Sequence, residues 1–199
     1  MTEPAGRAGC GACLRPQSAC ICQWLRPVAH EAEVLILQHP LEAGHAKNTG
    51  RLLHMSLPRS RMLTGEVFEE AELRAAMAET PAYAVLLYPP TPQDDEVPAL
   101  DLERLKDPSH VRLVVLDATW RKSRKMLHLN PLLRRMPRLS LQDVPASAYL
   151  IRKAHKPGQL STLEATCAAL AQLEGDAGRY RPLLKAFDGF VAQQQAFLP

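Results

Sequence analysis

A short segment in the middle of the chain sets a carboxylate directly before a run of cations. Asp117 ends an apolar run and is followed by Ala-Thr-Trp120 and then by four basic residues: Arg121, Lys122, Arg124 and Lys125. A carboxylate beside apolar walls and a tryptophan can act as a general base. Asp and Thr are also common helix N-caps, so Asp117 could instead only begin the next helix. The adjacent cations favour chemistry next to a polyanion.

The basic segment extends further and leaves the rest of the chain acidic. Residues 117–156 contain ten Lys/Arg and two acidic residues, in a chain whose net charge is only +3. Such asymmetry is typical of a surface that binds nucleic acid, although a solvated helix face gives the same pattern. Its position directly after Asp117 favours RNA or DNA as the partner.

Four of the five cysteines lie close together near the N-terminus, with the pattern Cys10-x2-Cys13-x6-Cys20-x-Cys22. So short a segment has no core of its own, and four thiolates suit a tetrahedral Zn²⁺. The alternative is redox-active or incidental cysteine. We predict a structural zinc site, because four thiolate ligands leave no open catalytic position. The fifth cysteine, Cys167, is interpreted as a small buried hydrophobe.

Length and composition are those of a soluble globular domain. The chain has 199 residues, of which 46% are hydrophobic and 23% charged. No apolar run reaches the roughly 20 residues that span a bilayer, and the first residues lack the basic and apolar regions of a signal peptide. We therefore expect a cytoplasmic protein.

Strand and helix patterns alternate along the chain, which predicts an α/β domain with a mainly parallel sheet. The predicted strands are 33–38, 61–64, 82–88, 111–117 and 148–151. The predicted helices are 49–55 (capped by Asn48), 69–79, 119–128, 161–174 and 180–197. Open α/β sheets bind their ligands at the carboxyl ends of strands, and Asp117 is at such an end.

A capping box is predicted at the start of the fourth of these helices, from Ser161 to Glu164. The loop before it, residues 152–158, is basic and contains a glycine. Helix N-terminal amides can hold a carboxylate or a phosphate, so the box could be structural and bind a ligand as well. His39, by contrast, is interpreted as a structural or surface histidine.

Taken in order, these pieces resemble the DTW-domain family. Any one motif is weak, but six in sequence are specific, and they span nearly the whole chain. They are the cysteine knuckle with Arg15-Pro16, His39-Pro40-x-Glu42, Lys47-Asn48-Thr49-Gly50, Leu86-Leu-Tyr-Pro89, Asp117-x-Thr119-Trp120 and Ser161-Thr-x-Glu-Ala165.

The resemblance implies a fold related to the SPOUT methyltransferases, an α/β domain with a C-terminal trefoil knot. Residues 1–28 would form the zinc knuckle and residues 29–199 the catalytic domain. It also implies transfer of the 3-amino-3-carboxypropyl group from S-adenosylmethionine to N3 of a tRNA uridine, giving acp3-uridine and methylthioadenosine. Two alternatives stay open: a SPOUT-type RNA methyltransferase with the same cofactor, and a non-catalytic zinc-containing RNA-binding protein in which Asp117 only caps a helix.

On this resemblance, Asp117 would take the proton from uridine N3. The expected partner is tRNA, with no membrane and no obligate protein partner. The residues expected around the cofactor are Leu86, Tyr88, Leu116, Thr119, Trp120, Ser161 and Thr162. The residues expected to bind RNA are Lys47, Asn48, Arg121, Lys122, Arg124, Lys125 and Arg152.

Overall fold

A computed structural model of the chain describes residues 9–78, 82–91, 97–142 and 160–196. Within these ranges, the strands are β1 Glu33–Gln38, β2 Ser60–Thr64, β3 Tyr83–Leu87, β4 Val111–Asp117 and β5 Arg138–Leu139. The α-helices are α1 Pro40–Ala43, α2 Gly50–Ser56, α3 Glu70–Ala78, α4 Trp120–Leu129, α5 Pro131–Arg134, α6 Thr162–Glu174 and α7 Arg181–Gln195. Short 3₁₀ turns occur at Gln17–Ala19, Cys22–Trp24 and Pro108–His110.

The five strands form one sheet in the order β2-β1-β4-β3-β5, and every pairing is parallel. The central strand β4 is buried along its whole length. It pairs with β1 in a register that sets Gln38 opposite Asp117. The predicted α/β domain with a parallel sheet is therefore confirmed.

Helices cover both faces of the sheet. Val34 and Ile36 of β1 belong to a core cluster shared with α2, α6 and α7. Leu35 and Leu37 point the other way, into a cluster shared with α3 and α4. Because both faces are covered, the central strands are continuous apolar runs without alternation.

The chain leaves the two central strands in opposite directions. After β1 it continues to β2 at one edge of the sheet, and after β4 it continues to β5 at the other. Where two neighbouring strands have connections that leave in opposite directions, a crevice forms outside the carboxyl ends of those strands. Open α/β sheets bind their ligands in this crevice. Gln38 and Asp117 end these two strands, so the topology locates the candidate site beside them.

The predicted elements are largely confirmed, but the N-cap of α2 is Thr49 and not Asn48. β1 and β4 have the predicted bounds, and the boundaries of the other matched elements shift by up to two residues. β5, α1 and α5 were not predicted, because two to four residues are too few to show a hydrophobic period. The predicted strand at 148–151 lies outside the described residues.

The N-terminal segment packs on the last helix. The Trp24 ring lies so close to Gly189 that an added Cβ there would be 2.2 Å from it. The Trp24 indole donates a hydrogen bond to Gln193 Oε1 at 2.6 Å, and Cys13 and Ile21 are buried in the core. The knuckle is therefore packed against the domain. None of the helices in the described part of the chain is both long and apolar enough to cross a bilayer.

Candidate active site at the carboxyl ends of β1 and β4

The Asp117 carboxylate lies at the centre of a buried hydrogen-bond network. Its Oδ2 accepts from Gln38 Nε2 at 2.8 Å and from Asn48 Nδ2 at 2.7 Å. Its Oδ1 accepts from the Thr162 hydroxyl at 2.7 Å. Asp117 and Asn48 are each only 2% exposed. Three segments far apart in the sequence thus converge on one carboxylate.

The start of α2 comes unusually close to this carboxylate. A Cβ added to Gly50 would lie 2.3 Å from Asp117 Oδ2, which is an overlap rather than a contact. Only glycine leaves room for the helix backbone at this distance. The Lys47-Asn48-Thr49-Gly50 motif therefore contributes to the network both a donor, from Asn48, and the space that Gly50 leaves.

Asp117 is not the N-cap of the following helix. That position belongs to Thr119, whose Oγ1 accepts from Lys122 N at 3.4 Å. The alternative in which Asp117 only caps α4 is therefore wrong. An ionised carboxylate offers about four acceptor positions, of which three are taken here, so roughly one is left for a substrate N–H.

Two aromatic residues, Tyr88 and Trp120, follow the carboxyl ends of β3 and β4. Tyr88 is buried, whereas Trp120 is 46% exposed. Their rings meet edge to face, with centroids 5.7 Å apart. Tyr88 thereby fixes the orientation of an exposed indole on which a flat ring can stack. Leu116 is 9% exposed at the end of β4, and Leu86 is fully buried within the sheet.

The predicted capping box at the start of α6 is confirmed. Ser161 Oγ accepts from Glu164 N at 3.2 Å, and Glu164 Oε2 accepts from Ser161 N at 2.8 Å. The Leu163 amide bonds Thr49 Oγ1 at 3.4 Å. Two amides of the first turn are therefore already paired, and the Thr162 hydroxyl is used by Asp117. The part of Ser161 and Thr162 in cofactor binding stays a prediction.

The cations predicted to bind RNA differ in what they contact. The side chains of Arg121 and Arg124 are exposed and form no hydrogen bond or ion pair with another described residue. Lys125 is exposed but bonds Glu66 at 2.9 Å. Lys122 is largely buried and bonds the buried Glu42 at 2.8 Å.

The remaining predicted RNA contacts are less accessible or undescribed. Lys47 is partly exposed, and the amide of the buried Asn48 faces Asp117 rather than solvent. Arg152 lies outside the described residues. The roles of all seven in RNA binding stay predictions.

Sequence reasoning missed Gln38 and Glu66. Gln38 is a polar residue at the end of a buried strand, which was the available signal, but only the register with β4 shows that it contacts Asp117. Glu66 bonds His39 Nε2 at 3.0 Å and also bonds Lys125. Both hydrogen bonds lower the pKa of Glu66, and the bond from Lys125 contributes more. His39 is 4% exposed and holds the loop after β1, as expected of a structural histidine.

The four N-terminal cysteines fit a tetrahedral metal. All four Sγ atoms lie within 4.8 Å of one another, with Cys10–Cys22 at 3.6 Å and Cys13–Cys20 at 3.8 Å. Zinc–sulfur bonds of the usual length in a tetrahedron separate sulfurs by about 3.8 Å. The backbone amides of Cys13 and Ala12 lower the pKa of Cys10 to about 6, whereas burial raises the pKa of Cys22 to about 12. The fifth, Cys167, is 1% exposed, and burial raises its pKa to about 12.

The fold and the site together define a class: an α/β protein with a buried carboxylate network at the switch point of a parallel sheet, beside a four-cysteine knuckle. The chain belongs to the DTW-domain family, whose profile matches residues 7–195.

Curated relatives are similar over most of the chain. Mouse (Mus musculus) tRNA-uridine aminocarboxypropyltransferase 2 is 32% identical over 194 residues, which cover 94% of this chain and 64% of the mouse protein. The Drosophila melanogaster protein of the same name is 32% identical over 86% of this chain and 68% of its own length. Arabidopsis thaliana tRNA-uridine aminocarboxypropyltransferase A is 26% identical over 95% of this chain and 81% of its own length. The chain thus spans slightly less than two thirds of the mouse relative. No solved structure gave a significant match.

Proposed function

We propose that this protein transfers the 3-amino-3-carboxypropyl group from S-adenosylmethionine to N3 of a tRNA uridine. The observation that carries the proposal is the Asp117 network, which holds a carboxylate at the switch point of the sheet through three hydrogen bonds. The described residues thus leave roughly one of its acceptor positions unfilled. Family membership and relatives that are named tRNA-uridine aminocarboxypropyltransferases support this reaction over others.

Asp117 acts as the base. Uridine N3 carries a proton and is a poor nucleophile until that proton leaves, and the free acceptor position of the carboxylate can take it. S-adenosylmethionine supplies the electrophile: a bond forms between N3 and a carbon of the aminocarboxypropyl group, the bond from that carbon to sulfur breaks, and methylthioadenosine leaves. Gln38, Asn48 and Thr162 hold the carboxylate in place during the proton transfer.

The aromatic residues at the ends of β3 and β4 form a wall for a flat ring. Trp120 offers its exposed face, with Tyr88 packed behind it. Leu116, Thr119, Ser161 and Thr162 surround the same crevice, and Leu86 supports it from within the sheet. N3 lies on the Watson–Crick edge, so the uridine must be unpaired when it reaches Asp117.

Cations around the crevice bind the tRNA backbone. Arg121 and Arg124 are the exposed pair on α4, with Lys125, Lys47 and Arg152 as further contacts. Lys122 and Asn48, which lie inside the site, shape it for the RNA. Phosphate contacts of this kind give affinity that falls as salt rises.

The remaining parts of the proposal concern architecture and compartment. Residues 1–28 form a knuckle that Zn²⁺ holds through Cys10, Cys13, Cys20 and Cys22, and residues 29–199 form a SPOUT-related domain with a C-terminal knot. The parallel sheet supports an α/β domain, and the distances between the sulfurs support the metal site. The knot and the boundary after residue 28 rest on the family resemblance. The cytoplasm is the compartment, where clustered thiols stay reduced and tRNA is available.

One experiment tests the activity. The protein is incubated with undermodified tRNA and S-adenosylmethionine, and nucleosides and cofactor products are analysed by mass spectrometry. We expect acp-modified uridine and methylthioadenosine in equal amounts. A methylated nucleoside with S-adenosylhomocysteine would instead identify an RNA methyltransferase, and bound tRNA without any product would identify a non-catalytic binding protein.

A further inference from the structure

The knuckle and the candidate active site are connected by one side chain, Arg15. This residue lies between the second and third cysteines, yet its guanidinium bonds the loop after α1. Nη1 donates to the Ala46 carbonyl and Nη2 to the Asn48 carbonyl, each at 2.7 Å. Asn48 is the residue whose side chain donates to Asp117. Only two hydrogen bonds therefore separate the knuckle from the carboxylate.

The guanidinium is fixed on a second side by the last helix. Its carbon lies 5.5 Å from the centroid of the buried Phe190 ring, in cation–π geometry. A planar fork that bonds two carbonyls while it covers an aromatic ring has little freedom to move. A second link runs nearby, from Arg51 of α2 to the Ala12 carbonyl at 3.3 Å.

The direction in which Arg15 points is set by the turn that carries the first two cysteines. Cys10 N donates to the Arg15 carbonyl at 2.7 Å, and Leu14 N donates to the Cys10 carbonyl at 2.9 Å. Within this turn, Leu14 has a φ of +59°, a left-handed conformation that a leucine rarely adopts. A strained turn persists only where its surroundings determine it, and a metal bound by Cys13 before Leu14 and by Cys20 after it would hold both sides of this one.

We infer that Arg15 is a positioning residue that couples the metal-bound form of the knuckle to the Asn48–Asp117 part of the active site. When the four thiolates are held by a metal, the turn is fixed, Arg15 clamps residues 46–48, and the Asn48 amide is presented to Asp117. Loss of the metal or of the guanidinium releases that clamp. The knuckle is thus a support for the catalytic loop and not only a surface for docking RNA.

Hydrogen exchange in the free protein tests this without any assay of activity. Arg15→Ala should lower protection in residues 40–49 by about tenfold, because two charge-assisted hydrogen bonds to this loop are lost, while β4 keeps its protection. Removal of the metal with a chelator should give the same change, and chelation of Arg15→Ala should add nothing further. Unchanged protection in residues 40–49, or equal loss throughout the molecule, would overturn the proposal.

A matched control is available in the same segment. Arg26 also bonds two carbonyls, those of Gln23 and Leu25, but both belong to its own turn. Arg26→Ala should leave residues 40–49 protected. Arg15→Lys keeps the charge but loses the fork, so it should fall between the wild type and Arg15→Ala.

The affinity for S-adenosylmethionine, measured by calorimetry without tRNA, separates positioning from RNA docking. This arm rests on the proposed function, whereas the exchange experiment does not, so a wild-type protein that fails to bind the cofactor would refute the proposed function alone. We expect Arg15→Ala to weaken cofactor binding by about tenfold, because Asn48 steadies Asp117, which in turn holds Thr162, a predicted cofactor contact. Arg26→Ala should leave cofactor binding unchanged. If Arg15→Ala changed only the KM for tRNA, the coupling would be refuted and the knuckle would be an RNA-docking element.

Discussion

Asp117 is held by three neutral donors, each from a different segment of the chain. A carboxylate in such surroundings cannot change its orientation without breaking several hydrogen bonds at once. Orientation is what a general base needs, because proton transfer requires hydrogen-bond distance to the acidic N–H. At the residue scale, the site is therefore preorganised around one acceptor.

Replacing the carboxylate tests its chemical role. Asp117→Asn should reduce kcat by about 10²- to 10⁴-fold, the usual contribution of a general base. The new amide also faces the Gln38 and Asn48 donors, so the free energy of unfolding must be measured beside the kinetics. Activity close to that of the wild type would exclude Asp117 as the base.

Gly50 provides a test of the space around the carboxylate. Gly50→Ala would bring a Cβ to 2.3 Å from Asp117 Oδ2, so we expect a loss of stability of about 1–3 kcal/mol, as for overpacking, together with weakened cofactor binding. Gly44→Ala, in the preceding loop, is the matched control, since a Cβ there meets nothing within 4 Å. Urea unfolding of both variants gives the comparison, and equal stability would contradict the close approach.

At the scale of elements, helix starts determine which polar residues are left for a ligand. Thr119 caps α4, and Ser161 with Glu164 caps α6. These assignments free Asp117 from a capping role. The Glu164 amide of α6 is paired by Ser161, and the Leu163 amide is paired by Thr49. The carboxylate is therefore the better-supported chemical group in the crevice, and the start of α6 contributes chiefly Thr162.

The capping box can be tested through stability. Ser161→Ala should lower the free energy of unfolding by about 1 kcal/mol, because the Glu164 amide loses its acceptor. Ser18→Ala is a suitable control, since Ser18 is exposed and bonds no other described residue. Chemical denaturation measures both, and a loss below about 0.5 kcal/mol, the lower limit for replacing a cap by alanine, would show that the box contributes little.

At the scale of the whole molecule, charge and burial are distributed unevenly. The exposed cations Arg121 and Arg124 lie on α4, beside the carboxyl edge of the sheet. The amino edge contains the buried His30, whose Nε2 accepts from Arg59 N at 3.1 Å and whose Nδ1 therefore donates to the Ala32 carbonyl at 2.7 Å. The carboxyl edge is therefore suited to bind a polyanion, whereas the hydrogen bonds at the amino edge depend on a neutral histidine.

Salt dependence tests the first of these features. Arg121→Ala and Arg124→Ala should each reduce the slope of log K against log salt for tRNA by about one if each contacts a phosphate. Lys106→Ala is the charge-matched control, because Lys106 pairs with Glu103 near the start of β4. Equal slopes for all three variants would mean that α4 is not the RNA-binding face.

The pH dependence of stability tests the second feature. Burial is the main cause that lowers the pKa of His30 below its usual 6.5. The unfolded chain therefore binds a proton at His30 more readily than the folded chain does. The contribution of His30 to stability is constant above about pH 6.5. Below that pH it falls by up to about 1.4 kcal/mol per pH unit. Unfolding experiments at pH 7.5 and 5.5 should show a smaller difference for His30→Gln than for the wild type. An equal difference would assign the acid sensitivity to other groups, such as His54, whose pKa burial also lowers.

The sequence determined the strands β1 and β4, the capping box of α6 and the cysteine cluster, and it pointed to Asp117 as the candidate base. These follow from local rules: an uninterrupted apolar run, a serine three residues before a glutamate, and thiols within a few residues of one another. The family resemblance added the expected reaction. None of this required knowledge of which segments meet in space.

Only the tertiary structure decided the partners of Asp117. Gln38 contacts it because β1 and β4 are neighbours in a particular register, and Asn48 and Thr162 contact it because α2 and α6 start at the same edge of the sheet. The link from Arg15 to Asn48 likewise joins residues 33 positions apart. Such contacts depend on strand order and helix packing, which no local pattern encodes. The sequence therefore identified the carboxylate, and the fold determined which side chains hold it.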